Sequence, residues 1–327
     1  MKTETMRAFL VTGTRQADVA NVPVPSAASD EVLLRVLACG LCKTDAKIFM
    51  SGHRDLLLPR IPGHELVGMD LQSGRRYAVF PGKTCGVCSY CNAGAQNLCP
   101  SVEIFGFSRE GGLAEKIAVP KSSLIPLAPD ISPELATLAE PLGCCVNAFS
   151  QMALPPRTDI LIFGAGVMGL LLAFAAHKMN LCPVLCDIDP DRIKTSRAFL
   201  QPFSIPSFLR KDISYPVSAA ITATSAPDAA EDALSLLKPG GAYFHFSGIG
   251  HRGNLSGKSF DQIHYKQLKV CGAYGCAKIH METALKWIAS SPDELSRLLK
   301  TRFSLSRIPE ILPILWQGSG YRHIVQP

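Results

Sequence analysis

Short apolar runs bounded by Pro, Gly and Ser follow one another through the first 150 residues of the chain. Residues 31–37 and 77–80 are two examples, and runs of this length and composition are typical of strands. The pattern therefore predicts that this part of the chain is mostly β structure.

A helix is predicted where this β-rich region ends. Ser132 precedes Pro133 and Glu134, which is the arrangement of an N-cap followed by a proline in the first turn. The helical pattern reaches Ala139. Pro141 is expected to break it before it resumes from residue 142 to about residue 152.

The pattern changes near residue 155, where apolar strands begin to alternate with helices. Strands are predicted at residues 159–163, 184–186, 219–222 and 242–246, and helices at residues 167–179 and 229–237. Such alternation indicates a parallel, doubly wound sheet of the Rossmann type.

The alternation stops after about residue 278. Helices are then predicted at residues 281–289 and 293–299, followed by a final strand. We expect an α/β protein in which residues 151–278 form a parallel-sheet domain. This domain is inserted into a β-rich domain made of residues 1–150 and 279–327.

Composition and charge exclude several classes of protein. Of the 327 residues 47% are hydrophobic, and the net charge is only +6, from 33 basic and 27 acidic residues. No Lys/Arg cluster of the kind that follows a nucleic-acid backbone is present, so no nucleic-acid partner is expected. No uncharged apolar run is long enough to span a membrane, and the amino terminus lacks a secretory signal. We expect a cytoplasmic protein.

Four of the twelve cysteines follow the spacing C-x2-C-x2-C-x7-C, at Cys85, Cys88, Cys91 and Cys99. Four thiolates surround Zn²⁺ tetrahedrally, and a site filled by protein sulfur is closed and structural. An iron–sulfur cluster and a chance group of buried cysteines are alternatives, although bacterial ferredoxins place the fourth cysteine sooner. A nucleic-acid-binding zinc module is disfavoured because residues 82–100 contain one Lys and one Tyr.

A glycine-rich turn, Gly164-Ala165-Gly166-Val167-Met168-Gly169, lies between a predicted strand and a predicted helix. In this context the first Gly makes the turn, the second lets the backbone approach a pyrophosphate, and the third permits close helix–strand packing. The helix N-terminus faces the phosphates. We predict a dinucleotide site that includes Gly164, Gly166, Val167, Met168 and Gly169.

Asp187 ends the next predicted strand, where a carboxylate binds the hydroxyls of the adenosine ribose. Because a carboxylate repels a 2′-phosphate, Asp187 favours NAD over NADP. Arg192 is close enough along the chain to assist either cofactor.

Three further segments carry metal-ligand residue types, and each signal is weak alone. Cys42 lies in Gly-Leu-Cys-Lys-Thr-Asp, His64 and Glu65 follow roughly twenty residues later, and Glu140 comes much later. A lone Cys is usually a small buried hydrophobe. Cys39 and Cys42 form a C-x2-C pair, but this region lacks the βαβ context of thioredoxin-like motifs.

Together with the cysteine cluster and the glycine-rich turn, these segments resemble the zinc-dependent medium-chain alcohol dehydrogenase family, especially its polyol and threonine dehydrogenase branch. The resemblance spans nearly the whole chain. It implies a GroES-like catalytic domain around the inserted Rossmann domain, one catalytic and one structural zinc, and a homodimer or homotetramer. It further implies that Cys42, His64 and Glu140 hold the catalytic zinc, and that Glu65 approaches or exchanges onto the metal.

The resemblance also implies individual roles. Thr44 takes the substrate proton and Asp45 holds the ligand histidine. Residues near the adenine and the nicotinamide are Ala223, Thr224, Ser247 and Ile249. The chain departs from the pattern at Lys47, where many relatives have a histidine that passes the proton outward. His53 is a candidate substitute, although a surface histidine is more typical of a loop.

These observations support the hypothesis of a zinc-dependent, NAD-linked dehydrogenase. Zinc acts as a Lewis acid on the hydroxyl of a secondary alcohol or polyol, a sugar or an amino alcohol, and hydride passes to NAD. Two alternatives are a non-catalytic nucleotide-binding member of the fold, and a zinc lyase or isomerase with tightly held NAD. No spacing rule identifies the substrate.

Overall fold

The computed structural model describes residues 4–249, 255–318 and 321–327. The chain divides into two compact units. The first unit comprises Met1–Gly143 and Cys276–Pro327, and the second unit comprises Cys144–Gly275. Both termini therefore belong to the first unit, and the second unit is one continuous stretch of chain.

The first unit is built around β-strands, and elements are numbered along the whole chain. The strands are β1 (Thr5–Gly13), β2 (Gln16–Pro23), β3 (Glu31–Leu41), β4 (Glu65–Asp70), β5 (Arg76–Val79), β6 (Gly82–Lys83), β7 (Glu103–Ile104), β8 (Lys116–Pro120), β9 (Leu124–Pro126), β16 (Leu299–Phe303) and β17 (Arg322–Val325). A seven-stranded sheet has the order β16-β17-β3-β4-β5-β9, with β8 also paired to β3. β1 and β2 form an antiparallel hairpin, and β6 pairs with β7.

The core of the first unit packs against β3. Leu34 and Val36 are buried while Arg35 between them is exposed, because successive side chains of a strand point to opposite faces. Phe9 of β1 and Ile117 of β8 belong to the same hydrophobic cluster. The β-rich character predicted for this region is confirmed.

In its described residues this unit also contains helices at the ends of these strands or between them, of which α4 continues into the second unit. They are α1 (Lys43–Ser51), α2 (Ser89–Asn92), α3 (Pro133–Ala136), α4 (Ala139–Ser150), α9 (Lys278–Ala289), α10 (Pro292–Ser296) and α11 (Ile308–Trp316). Ser132 caps α3 as predicted, since its hydroxyl oxygen accepts the Leu135 N–H at 3.2 Å.

Two helix predictions are wrong. The predicted break at Pro141 does not occur, because α4 begins at Ala139 and holds Pro141 in its first turn. Proline is tolerated there because the first N–H groups of a helix have no partner within it. The helix predicted at residues 293–299 ends at Ser296, and Leu299 instead begins β16, where it pairs with Arg322 of β17.

The second unit alternates strands with helices. Its strands are β10 (Asp159–Phe163), β11 (Cys182–Asp187), β12 (Ser207–Leu209), β13 (Val217–Thr222), β14 (Leu237–His245) and β15 (Lys269–Gly272), and its helices are α5 (Val167–Lys178), α6 (Pro190–Leu200), α7 (Pro227–Leu236) and α8 (Gly257–Tyr265). All six strands are parallel, in the order β12-β11-β10-β13-β14-β15. The strand order reverses between β10 and β13, and ligands of doubly wound sheets bind at the carboxyl ends of the strands at such a point.

The predicted strands and helices of this unit are all present. The strands β12 and β15 and the helices α6 and α8 are additions, in stretches where the sequence analysis predicts no element. α5 is buried on all sides, including Leu171, Leu172 and Phe174, which explains why its apolar residues show no single face. No helix in the described parts of the chain has the length and apolar character that a bilayer crossing requires.

Candidate metal centre and dinucleotide site

The start of α1 places the thiol of Cys42. Cys42 is the N-cap residue, its backbone N–H donates to the Asp45 carboxylate at 2.8 Å, and the Asp45 N–H donates to the Cys42 carbonyl at 3.0 Å. The Thr44 hydroxyl oxygen lies 3.5 Å from Cys42 Sγ. The first turn of one short helix therefore brings together three of the predicted site residues.

A glycine turn presents His64 just before β4. Gly63 has φ of +99°, in the left-handed region that favours glycine. A Cβ at Gly63 would lie 2.9 Å from both Cys39 Sγ and Leu113 Cγ, so a side chain there has no space. The turn buries both His64 and the following Glu65.

Cys42, His64 and Glu65 converge, with their ligand atoms within 4.8 Å of one another. His64 Nδ1 lies 3.7 Å from Asp45 Oδ1, which leaves Nε2 as the nitrogen available to a metal. Within the described ranges, buried Asp45 Oδ1, His64 Nδ1 and Glu65 Oε2 have no hydrogen-bond partner. Because buried polar atoms are normally paired, this group has the properties of a cation site.

The surroundings of Cys42 favour its thiolate. Burial raises the pKa of Cys42, but the His64 imidazole and the Arg322 guanidinium outweigh burial and bring this pKa to about 7. Burial lowers the pKa of His64, whereas the Asp45 carboxylate raises it well above its usual value. A thiol must lose its proton to bind a metal, so the environment suits Cys42 to that role.

Arg322 of β17 completes the site and was not predicted from the sequence. It is buried, its Nη2 donates to Glu65 Oε1 at 2.5 Å, and its Nη1 donates to the Leu41 carbonyl at 3.4 Å. Burial raises the pKa of Glu65 well above its usual value, and Arg322 opposes that shift. A single arginine 257 residues away along the chain gives no signal that it will reach Glu65.

Glu140 lies beside this group, in the first turn of α4. Its charge acts on His64, Glu65 and Arg322. Its carboxylate lies within 4.8 Å of Cys276 Sγ. The third donor beside Cys42 and His64 is Glu65 and not Glu140. The structure thus brings both predicted glutamates to the site.

The two residues considered for the outward proton path differ in their surroundings. Lys47 is exposed on α1. His53 follows α1, and only 16% of its side chain is exposed. The His53 ring packs edge-on against Phe107 at a centroid distance of 5.0 Å, and Phe107 lies 5.6 Å from the His64 ring. His53 is therefore not the surface histidine that its loop position suggests, and Phe107 is a second residue that sequence analysis missed.

The four cysteines of the C-x2-C-x2-C-x7-C segment form one group, with all four sulfurs within 4.8 Å of one another. Cys99 Sγ lies 3.6 Å and Cys91 Sγ 3.9 Å from Cys85 Sγ. The backbone N–H groups of Val87 and Cys88 lower the pKa of Cys85 to about 6. The convergence of the four sulfurs suits a tetrahedral metal.

The glycine-rich turn of the second unit joins β10 to α5. Gly164 has φ of +108°, and a Cβ there would lie 3.2 Å from the Ala223 carbonyl oxygen. A Cβ at Gly169 would collide with the Gly164 carbonyl oxygen, whereas a Cβ at Gly166 would meet nothing within 4 Å. This is the division of roles that the motif predicts, with open space only at the second glycine.

Asp187 ends β11 beside this turn. Its carboxylate accepts the Ala165 N–H at 2.7 Å and the Asp189 N–H at 3.0 Å. Asp187 therefore fixes the glycine-rich turn. Arg192 in α6 pairs with Asp189 at 3.5 Å.

The remaining predicted cofactor residues follow the carboxyl ends of the central strands. Val167 and Met168 open α5. The Ala223 N–H donates to the Phe163 carbonyl of β10 at 2.8 Å, and the Thr224 hydroxyl accepts the Ala226 N–H at 3.3 Å. Ser247 and Ile249 lie in the loop after β14.

Comparison with known proteins agrees with this architecture. Residues 28–130 match the model of the alcohol dehydrogenase GroES-like domain. The chain is 29% identical to D-altritol 5-dehydrogenase of Agrobacterium fabrum over 91% of each chain, and 31% identical to sorbitol dehydrogenase of Bacillus subtilis over 59% of each. A crystal structure of a putative zinc-binding dehydrogenase from Sinorhizobium meliloti, bound to NADP, superposes with a TM-score of 0.88 over 99% of this chain and 100% of that one, at 22% identity.

The fold is that of the zinc-binding dehydrogenases, with a GroES-like part and a Rossmann-type sheet as predicted. In sequence the chain resembles polyol and threonine dehydrogenases. These relatives support an oxidoreductase that acts on CH–OH groups.

Proposed function

We propose that this protein transfers hydride between a polyol, sugar or amino alcohol and NAD, at a catalytic zinc site in its first unit. The observation that carries the proposal is the buried convergence of Cys42, His64 and Glu65, with Glu140 beside them. Relatives that are altritol and sorbitol dehydrogenases support a polyhydroxylated substrate.

The donor set fits zinc. Thiolate, imidazole and carboxylate are its usual protein ligands, and three of them leave a fourth position for a substrate. Cys42 and His64 would hold the ion with Glu140 as the resting third ligand. Glu65 is placed to exchange with Glu140, since its Oε2 has no partner in the described structure while its Oε1 binds Arg322. Zinc supplies a Lewis acid that stabilises negative charge developing on the substrate oxygen.

Two side chains near Cys42 would move the substrate proton and orient the His64 imidazole. The Thr44 hydroxyl lies 3.5 Å from Cys42 Sγ, so it is within reach of a hydroxyl bound at the same site. It would accept that proton while its own hydroxyl proton passes to water, since Thr44 is partly exposed. Asp45, which is buried 3.7 Å from His64 Nδ1, orients the imidazole so that Nε2 faces the donor group.

We assign a second, structural zinc to Cys85, Cys88, Cys91 and Cys99. Four sulfurs close the coordination shell and leave no position for substrate. Both Gly86 and Gly94 have positive φ, so the chain turns sharply enough to aim successive sulfurs at one point. This metal would stabilise the segment and take no part in catalysis.

We assign the dinucleotide to the second unit. The open space at Gly166 admits a pyrophosphate at the start of α5, where free N–H groups and the helix dipole favour negative charge. Each carboxylate oxygen of Asp187 has accepted one backbone N–H and retains a lone pair for a ribose hydroxyl. The negative charge of Asp187 disfavours a 2′-phosphate, which supports NAD over NADP.

A substrate panel tests the proposal. Zinc-loaded protein is assayed at 340 nm with NAD and with NADP against polyols, sugars, amino alcohols and simple secondary alcohols. The expected result is oxidation of at least one polyhydroxylated substrate with NAD preferred. Nucleotide binding without turnover of any alcohol would indicate a non-catalytic member, and turnover without net absorbance change would indicate a lyase or isomerase.

We also propose a homodimer or homotetramer in the cytoplasm. β15 is an edge strand of the six-stranded sheet, and Val270 on it is 46% exposed, which offers an unpaired strand to a second copy. Cys85, Cys88, Cys91 and Cys99 are free thiols with metal-ligand spacing, a state that a reducing compartment maintains. Light scattering on the purified protein measures the oligomeric state, and a monomer would contradict this part of the proposal.

A further inference from the structure

The imidazole of His53 is held in one orientation by its own loop. Its Nδ1 accepts the backbone N–H of Asp55 at 3.2 Å, so the proton of the neutral ring is on Nε2. Burial and the charge of Lys47 lower the pKa of His53, which favours the neutral ring near pH 7. Across the residues that the structure describes, Nε2 has no hydrogen-bond partner. His53 therefore has an N–H donor that the fold does not use.

Phe107 connects His53 to the candidate metal centre. Its ring contacts both imidazoles, at centroid distances of 5.0 Å from His53 and 5.6 Å from His64. The Leu57 N–H donates to the Phe107 carbonyl at 3.2 Å, which ties the loop that carries His53 to this ring. One apolar side chain thus contacts both the proposed metal ligand and the residue that carries the unused donor.

We propose that His53 is a specificity-determining residue, whose Nε2–H donates to a substrate hydroxyl several carbons from the carbinol that is oxidised. This inference rests on the proposed function, because it places the reacting carbinol at Cys42 and His64. The carbon chain of the substrate then lies against Phe107, and the far hydroxyl meets His53. A site built to bind a hydroxyl discriminates against an analogue without it, because its polar group is left unpaired. The substrate class is therefore an alcohol with a second, distant hydroxyl.

A series of six-carbon alcohols tests this inference. The substrates are 2-hexanol and its 2,3-, 2,4- and 2,5-diols, and the enzymes are zinc-loaded wild type, His53→Leu and His53→Gln. His264→Leu is the matched control, because His264 is an exposed histidine of the second unit that packs on Tyr265. Measurements are kcat/KM with saturating NAD and saturation-transfer NMR of alcohol binding.

His53→Leu should lower kcat/KM for at least one diol about tenfold, the effect of one lost hydrogen bond, and leave 2-hexanol within about twofold. It should also weaken the NMR signal of that diol. His53→Gln, which keeps an N–H donor, should restore both. The control should match wild type on every substrate.

Three results would overturn the inference. An unchanged preference between diols and 2-hexanol in His53→Leu would show that His53 does not bind the far hydroxyl. An equal loss on all four alcohols would indicate a structural or proton-transfer role. If wild type oxidises no alcohol of this series or of the wider panel, the proposed function fails and the inference fails with it.

Discussion

At the scale of single residues, Asp187 has one observed task and one proposed task. Its carboxylate accepts the Ala165 N–H at 2.7 Å and so fixes the glycine-rich turn, and the proposed function adds the binding of the cofactor ribose. The first task was not foreseen, because a bond from a strand end to the preceding turn depends on how β10 and β11 pair. The second follows from sequence spacing alone.

Replacing Asp187 with Ser should shift cofactor preference toward NADP. The change removes two charge-assisted acceptors of ribose hydroxyls and the repulsion of a 2′-phosphate, so kcat/KM with NAD should fall about ten- to a hundredfold. The ratio of kcat/KM for NADP to that for NAD should rise in parallel. Steady-state kinetics with both cofactors measure it, and an unchanged ratio would show that Asp187 does not select the cofactor.

Some residues of the candidate metal centre could be predicted from the sequence, and others could not. The structure brings together Cys42, His64 and Glu65, and each lies in a segment that matches the family pattern. Arg322 and Phe107 were not predicted, since an isolated arginine or phenylalanine is compatible with many surroundings. Their placement depends on β17 pairing with β3 and on the chain near residue 107 folding against the His64 turn.

At the scale of elements, the glycine-rich turn offers a matched pair of variants. Gly169→Ala should lower the free energy of unfolding by about 1–3 kcal/mol, because its methyl group collides with the Gly164 carbonyl oxygen. Gly166→Ala should keep the wild-type melting temperature, since its methyl group enters open space, yet weaken NADH binding because that space admits the pyrophosphate.

Chemical denaturation and fluorescence titration with NADH separate the two effects. If Gly166→Ala binds NADH as tightly as wild type does, the pyrophosphate does not bind at this turn. Wild-type stability in Gly169→Ala would mean that α5 does not approach the turn as closely as the structure has it.

A carboxylate at the start of β10 ties three strands together. Asp159 accepts the Ser218 N–H of β13 at 3.0 Å and lies 3.3 Å from Lys238 Nζ of β14. Burial raises the pKa of Asp159, but the Ser218 hydrogen bonds and Lys238 outweigh it and lower the pKa below its usual value. A carboxyl group whose folded-state pKa is lowered stabilises the fold above its unfolded pKa, about 3.9, and loses that contribution as pH falls through the folded value.

Asp159→Asn should therefore melt below wild type at pH 7, and the difference should shrink as pH falls below about 4. Asp261→Asn, at an exposed position of α8, is the control and should follow wild type at each pH. The measurement is the melting temperature of wild type, Asp159→Asn and Asp261→Asn between pH 7 and about pH 3. A difference that persists unchanged at low pH would assign the loss to packing and not to charge.

Sequence patterns located elements better than their ends. β10 was placed at the observed residues because an apolar strand directly before a glycine turn has clear limits. Pro141 was misread because its effect depends on its position within the turn, and only the observed start at Ala139 shows that position. β12 was not predicted, because three residues are too few to show the alternation of apolar and polar positions typical of a strand.

At the scale of the whole molecule, the alternation of strands and helices predicted a parallel sheet interrupting a β-rich region. The order of the strands does not follow from periodicity, because it depends on contacts distant in sequence. β17, at the end of the chain, pairs with β3 near its beginning and places Arg322 at Glu65. The last strand of the chain therefore belongs to the candidate metal centre.

Metal content and turnover of Cys42→Ser test the central claim most directly. Wild-type protein should bind about two zinc ions per chain, as the two donor groups require. Cys42→Ser should retain about one, held by the four cysteines between Cys85 and Cys99, and should lose turnover of the substrate that wild type oxidises. Mass spectrometry of bound metal and the 340 nm assay measure both quantities on the same samples. Full activity in Cys42→Ser, or an unchanged zinc content, would contradict a catalytic zinc at Cys42 and His64.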